Sequence, residues 1–124
     1  MVPAGVTVAP HEMTTARALA AHGANVVLLS LLHGEGIKNP DAAMDGEVWE
    51  FKAPQGASER STIDSQFRRA RAQSRRIVID LARCGLSEQL AVRQCAYRFY
   101  GQRRINRLLV LDKMGTMAFY GCLT

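Results

Sequence analysis

Residues 39–52 read Asn-Pro-Asp-Ala-Ala-Met-Asp-Gly-Glu-Val-Trp-Glu-Phe-Lys, and the fold can be worked out from this stretch. At its centre, Asp45-Gly46 stands between strand-forming residues, which is the strongest short-range signal for a hairpin with a two-residue type I′ turn. The turn predicts one strand over residues 41–44 and a second over residues 47–53.

The register of this hairpin sets two carboxylates and an amine on one face. Counting outward from the turn places Asp41 opposite Glu50. Strand alternation adds Lys52 to the face of Glu50. Carboxylates directly across a strand pair, with Cβ atoms roughly 5 Å apart, repel each other and are normally avoided. A bound divalent cation would turn that cost into a function.

The composition indicates a single domain over residues 1–124. A chain of 124 residues with 48% hydrophobic content is long enough to bury a core. No apolar run approaches the roughly 20 residues of a membrane helix, and the start Met1-Val-Pro-Ala-Gly lacks a basic signal-peptide segment. We therefore expect no membrane span. We expect Cys84, Cys95 and Cys122 to be reduced core residues, because they are odd in number and lack a metal-binding spacing.

Charge is divided unevenly along the chain. Residues 1–58 carry three basic and six acidic residues, whereas residues 59–124 carry thirteen basic residues, twelve of them arginine, and five acidic ones. Arginine suits bidentate contacts to phosphate. An acidic centre beside an arginine-rich surface fits a nuclease, although a solvated basic face with no ligand would have the same charge pattern.

The periodicity predicts the element order α-β-β-β-α-β-α-β-β. Pro10 and Gly23 suit the ends of a first helix, on which Glu12 shares the inward face with Ala16 and Leu19. Ser61 and Asp64 resemble a capping box at the start of a second helix, and Ser87 suits the N-cap of a third. Trp49 and Phe51 alternate with Glu50, and we expect them in the core. Further strands are predicted at residues 26–32, 76–82, 108–112 and 117–122.

These residues carry a resemblance. A helix glutamate, then Pro-Asp, then Glu-x-Lys on the following strand, then a helix and a strand, resembles the PD-(D/E)xK superfamily of restriction-endonuclease-like nucleases. More narrowly, residues 10–81 are similar to the C-terminal tRNase toxin domains of contact-dependent growth inhibition systems. The resemblance implies a single α/β (α+β) domain with a mixed sheet flanked by helices. Its α-β-β-β-α-β core would span residues 10–82, followed by an added helix and a C-terminal hairpin over residues 87–122.

The resemblance also implies roles for individual residues. Asp41 would be the central ligand of Mg²⁺ or another divalent cation, with Glu50 as the second ligand and Glu12 completing the metal shell. Lys52 would orient the attacking water and stabilise the phosphorane. Asp45 competes with Asp41 as the aspartate of the motif, but the turn needs Asp45 and the family pattern favours Pro-Asp.

Contacts to RNA are predicted in the arginine-rich residues 59–124. The predicted residues are Arg68, Arg69, Arg71, Gln73, Arg75, Arg103, Arg104 and Arg107, with Ser61 as an alternate.

Histidine chemistry is the main alternative to a metal. A metal-independent ribonuclease would use general acid and base groups, for which His11 together with Lys52 is the first candidate, ahead of His22 and His33.

The hairpin residues and the charge pattern predict a metal-dependent nuclease, and the resemblance implies an endoribonuclease that cuts tRNA. The resemblance implies a toxin delivered as part of a larger secreted or cell-surface effector, which acts in the cytoplasm of a target bacterium. A cognate immunity protein, acidic by charge complementarity, would neutralise it, and a host activating factor is a further partner that such a domain can require. The alternatives are a DNA endonuclease on the same core and a non-catalytic RNA-binding module.

Overall fold

The element order is the one that the sequence predicts. The computed structural model describes residues 10–28 and 42–121, and of residues 10–12, 27, 28 and 42 it describes the backbone. Within these ranges three helices and six strands form. They are α1 (Pro10–Ala21), β1 (Val26–Leu28), β2 (Ala42–Met44), β3 (Glu47–Lys52), α2 (Thr62–Ala70), β4 (Arg76–Asp80), α3 (Glu88–Tyr100), β5 (Arg107–Leu111) and β6 (Met117–Gly121).

The predicted hairpin is confirmed in its turn and its register. Asp45 and Gly46 both have positive φ, 50° and 84°, as a type I′ turn requires. Met44 pairs with Glu47, and the pairing continues outward to Ala42 with Trp49. The predicted pairing of Asp41 with Glu50 lies outside the described residues. Because the register fixes which side chains share a face, Glu50 and Lys52 point to one side of β3 and Trp49 and Phe51 to the other.

The strands of the described residues make one mixed sheet in the order of the sequence, β1 to β6. Strands β3, β4 and β5 are parallel, and the remaining neighbours are antiparallel. Parallel strands need long crossover connections, and α2 and α3 supply them. Both helices pack on the same face of the sheet, against Ile77, Ile79 and Leu108.

Helix α1 packs on the opposite face. Its buried residues Ala16 and Leu19 contact a cluster that includes Trp49 and Phe51. The predicted inward positions of Ala16 and Leu19 and the core positions of both aromatic residues are therefore confirmed, whereas the side chain of Glu12 lies outside the described residues. On this face the Thr15 hydroxyl donates to the Asp80 carboxylate over 2.8 Å, and that carboxylate also accepts from the backbone N–H of Ala82. Asp80 is therefore buried with hydrogen-bond partners.

The helix starts agree with the sequence at α3 and differ at α2. Ser87 caps α3 and accepts from the backbone N–H of Leu90, as predicted. Ser61 makes no side-chain cap at α2, so the predicted capping box with Asp64 is wrong. The Thr62 hydroxyl instead accepts from the backbone N–H of Ser58, and Ser58 in turn accepts from that of Ser61. This local network engages Ser61 in the turn before the helix, and Asp64 has other partners, described below.

The prediction of reduced core cysteines is confirmed for two of three positions. Cys84 and Cys95 are buried free thiols, whereas Cys122 lies outside the described residues. Burial and, to a smaller extent, the neighbouring Cys84 raise the pKa of Cys95 from its ordinary value of 9.0 to about 12. The folded protein therefore keeps the Cys95 proton at pH values where the unfolded chain releases it.

We expect this difference to make the domain less stable as pH rises from 9 to about 12. The raised pKa contributes its full stabilisation below pH 9, and the contribution falls by about 1.4 kcal/mol per pH unit within that window. Urea unfolding at pH 8 and pH 10 under reducing conditions measures this loss of unfolding free energy in the wild-type protein and in the Cys95→Val variant. The wild-type protein should lose about 1 kcal/mol more than the variant, and equal losses would contradict the expectation.

Candidate active site and nucleic-acid interface

The acidic and basic residues of Glu-x-Lys form a buried ion pair on β3. Lys52 Nζ lies 3.0 Å from Glu50 Oε2. Glu50 is 2% exposed, whereas 16% of the Lys52 side chain is exposed. A surface ion pair at this spacing would contribute little, but burial of two charges is costly unless the geometry and further hydrogen bonds compensate. A buried carboxylate paired with an ammonium that still reaches solvent makes the pair a candidate for function.

A third residue holds the lysine in place. Lys52 Nζ donates to Gln73 Oε1 over 3.1 Å, and Gln73 follows the last turn of α2. The sequence predicted Gln73 as an RNA contact, and the structure gives its side-chain oxygen a role in positioning the ammonium. Two of the three N–H donors of Lys52 thus point at Glu50 and Gln73, which leaves one for an oxygen of a substrate.

The other predicted partners of the ion pair are Asp41, Glu12, His11 and His33. Asp41 and His33 lie outside the described residues, and so do the side chains of Glu12 and His11. Helix α1, which carries Glu12, packs through its described side chains on the sheet face opposite Lys52. Among the described side chains, no three or more His, Cys, Asp or Glu residues come together in a way that could hold a metal ion. Glu50 is the predicted ligand whose side chain the structure describes.

Three of the alternates have local structural roles. The Asp45 carboxylate accepts from the backbone N–H of Asn25 over 3.0 Å, which ties the hairpin turn to the end of the α1–β1 connection. The His22 ring donates from Nε2 to the carbonyl of Gly115 over 2.7 Å. Ser61 belongs to the turn before α2. Asp45 and His22 therefore connect loops, in an exposed setting away from the ion pair.

The predicted RNA contacts divide between two sites. Six of the arginines are exposed, namely Arg68, Arg69, Arg71, Arg75, Arg103 and Arg104. The structure brings two of their groups together, because Arg104 Nε donates to the backbone carbonyl of Arg71. Arg107 is separate. It lies on the sheet face that α1 covers, where its guanidinium donates from Nη1 to both oxygens of Glu47 at 2.5 and 2.6 Å.

Glu47 has a second arginine partner on that face. Arg76 Nη2 lies 2.8 Å from Glu47 Oε2. Glu47, Arg76 and Arg107 stand at the starts of β3, β4 and β5, so one carboxylate holds together the first residues of the three parallel strands. This three-residue cluster supports the sheet and lies across it from Lys52.

Sequence reasoning missed a carboxylate that links two helices. Asp64 of α2 lies 3.0 Å from Arg68 Nε on its own helix and 3.4 Å from Arg98 Nη1 on α3. The spacing of Asp64 and Arg68 at i and i+4 was a readable signal. The pairing with Arg98 was not, because it depends on how α2 and α3 pack. Asp64 thereby holds two guanidinium groups on the exposed side of the helix pair.

Known proteins resemble this chain in sequence and in fold. The family model described as contact-dependent growth inhibition CdiA C-terminal domain matches residues 38–117. A solved structure, the CdiA-CT/CdiI toxin and immunity complex from Burkholderia pseudomallei, is similar over 98% of this chain and 98% of that chain, with a TM-score of 0.73 and 24% identity. That likeness shows a shared fold. A search of curated proteins finds no match. None of the described helices has the length and apolar character needed to cross a membrane.

Proposed function

Because the chain belongs to the family of contact-dependent growth inhibition CdiA C-terminal domains, we propose that it is a toxin that cleaves tRNA as an endoribonuclease. The observation that carries the proposal is the buried pair of Glu50 and Lys52, fixed by Gln73 on the sheet face that also carries the arginine-rich helix α2. A positioned ammonium can stabilise the charge of the transition state, and a cationic surface can hold the phosphate backbone, so both suit cleavage of a phosphodiester.

The geometry supports a specific role for Lys52 in the proposed cleavage. With two N–H donors directed at Glu50 and Gln73, the ammonium is held before substrate arrives, so little reorganisation is needed when charge develops on the phosphate. Its remaining N–H would donate to a non-bridging oxygen as the phosphorane forms. Glu50 orients Lys52. Gln73 acts through Lys52 and is a positioning residue.

We propose that cleavage depends on Mg²⁺ or another divalent cation. Such hard cations prefer carboxylate oxygens, and Glu50 supplies that donor type beside Lys52. Asp41 is the further ligand that the resemblance implies beside Glu50. The resemblance also implies Glu12, but helix α1, which carries it, packs on the opposite face of the sheet. When bound, the cation would supply charge neutralisation at the phosphate and activation of water.

The same family membership supports a delivery route and a partner. As a CdiA C-terminal domain, the chain would reach a target bacterium as part of a larger effector and act on RNA in its cytoplasm. The similar Burkholderia structure is a toxin and immunity complex, and we propose a cognate immunity protein here as well. The excess of basic residues in residues 59–124 favours an acidic partner.

Digestion of purified nucleic acids tests the activity. Incubation with total tRNA and with plasmid DNA, in magnesium with and without EDTA, should give cleaved tRNA, intact plasmid, and no cleavage in EDTA. Cleaved plasmid would replace tRNA by DNA as the substrate. Cleavage that persists in EDTA would shift the chemistry to a metal-independent route through Lys52 and His11. If tRNA binds the protein but stays intact, the remaining hypothesis is a non-catalytic RNA-binding module.

A further inference from the structure

Two tyrosines of α3 are unusually exposed for residues of their size. Tyr97 and Tyr100 each expose 72% of their surface. They lie three residues apart and so occupy neighbouring positions on the helix surface. Tyr100 makes an edge contact with Phe99, with ring centroids 5.2 Å apart, whereas Tyr97 contacts the guanidinium of Arg98 at 5.8 Å from its ring centroid. The Tyr97 ring is therefore held by a cation and open to solvent.

Tyr97 borders a hollow between α2 and α3 that is rich in arginine. The hollow has a volume of about 230 Å³, and Arg68, Arg71 and Arg98 line it together with Asp64. Asp64 pairs with Arg68 and Arg98 and thereby fixes them on either side of the hollow. Three guanidinium groups and one carboxylate line the hollow, which leaves it positively charged. Guanidinium groups donate to phosphate oxygens, so the hollow suits a phosphate group.

A second hollow also has Tyr97 in its wall. Arg93, Ala96 and Tyr100 line it, together with Tyr97 and Gly101, which border both hollows. Tyr97 thus belongs to the walls of two hollows, and each of them also has arginine in its wall. Alternation of an aromatic ring with arginine is the pattern by which proteins bind single-stranded nucleic acid, because bases stack on the ring and phosphates contact the cations.

The arginine-lined hollow is also close along the chain to the candidate active site. Arg71 lines the hollow, and two residues later Gln73 contacts Lys52. Two residues span at most roughly 7 Å. The backbones of Arg71 and Gln73 are therefore close enough for one strand of nucleic acid to contact both the hollow and the residues around Lys52. An immunity protein could also meet the charge of this surface, but only a substrate needs to connect the two places.

We propose that Tyr97 stacks an unpaired base of the RNA substrate while Arg68, Arg71 and Arg98 hold the adjacent phosphates. The inference rests on the proposed function and extends it to a substrate class: RNA with unpaired nucleotides beside the scissile bond, such as a loop or a single-stranded end. Double-stranded RNA keeps its bases stacked on each other and would not use the ring.

Binding of short RNA by the catalytically inactive Lys52→Ala protein tests this inference. The probes are a single-stranded RNA with one 2-aminopurine and a duplex of the same sequence. Adding Tyr97→Ala should weaken binding of the single strand about 10-fold and abolish quenching of the 2-aminopurine fluorescence, with little change for the duplex. Adding Tyr97→Phe should retain both, because the ring remains. Phe119→Ala is the matched control, since it removes an exposed aromatic ring from the other face of the sheet.

Equal affinity and equal quenching in the Tyr97→Ala protein would overturn the inference. Unchanged binding of RNA with loss of binding to the immunity protein would also overturn it and would assign the surface to that partner. The proposed function fails by a different result, namely a wild-type protein that does not cleave RNA. If the wild-type protein cleaves RNA but the Tyr97→Ala protein still quenches the 2-aminopurine, the stacking role alone is refuted.

Discussion

Replacing Lys52 by alanine should lower the rate of tRNA cleavage by about 10²- to 10⁴-fold and abolish growth inhibition. This is the range over which one positioned charge or proton-transfer group contributes to catalysis. The variant loses the one ammonium that the structure places against Glu50 and Gln73. Cleavage of tRNA under single-turnover conditions measures the effect, and circular dichroism verifies the fold.

Stability must be separated from chemistry in this test, because Glu50 keeps a buried charge when its partner is removed. Lys52→Gln serves that purpose, since its amide can still donate to Glu50 while the positive charge is gone. Both variants should be inactive, with the glutamine variant the more stable. Lys113→Ala removes an exposed lysine elsewhere and should retain wild-type cleavage. A folded Lys52→Gln protein with wild-type activity would refute the role of the ammonium.

Replacing Glu47 by alanine should have the opposite profile, with lower stability and unchanged chemistry. The carboxylate stands between Arg76 and Arg107, so its removal leaves two partly buried guanidinium groups facing each other. We expect a loss of about 2 kcal/mol, because the cluster is partly open to solvent and screened. The midpoint of thermal unfolding should fall by roughly 5–10 °C. Cleavage per folded molecule should not change, since the cluster lies across the sheet from Lys52.

A second substitution separates repulsion from a general loss of packing. Removing Arg107 together with Glu47 should recover part of the lost stability, since one of the two repelling charges is gone. Glu59→Ala is the control, because Glu59 is exposed and uses its backbone carbonyl, not its carboxylate, to bind Gln94. A Glu47→Ala protein as stable as the wild type would show that this cluster does not hold the strands together.

The parts of the fold that depend on local chemistry could be read from the sequence. Asp45-Gly46 predicted the turn and its register because few residue pairs adopt two consecutive positive φ values. The core positions of Trp49 and Phe51 followed from strand alternation once that turn was placed. The order of helices and strands followed from periodicity, glycine and proline. Ser61 shows the limit of this reasoning, since nearby hydroxyl groups replaced the expected cap.

The candidate site was predictable only in part, because its remaining contacts join distant segments. Alternation placed Glu50 and Lys52 on one face, yet nothing local indicated that Gln73 would meet Lys52. Arg107 looked like its arginine neighbours in sequence, but β5 directs it to the other face of the sheet, where Glu47 binds it. The bridge from Asp64 to Arg98 likewise depends on the packing of α2 against α3. The roles of Asp41 and Glu12 stay predictions.

The fate of RNA inside inhibited bacteria shows whether the domain acts as a tRNase. The domain would be produced from a regulated promoter in susceptible cells, and total RNA and chromosomal DNA would be examined at intervals as growth slows. We expect that tRNA is shortened before growth stops, that DNA stays intact, and that Lys52→Ala cells keep full-length tRNA. Growth arrest by the wild-type domain with an intact tRNA pool would contradict this expectation.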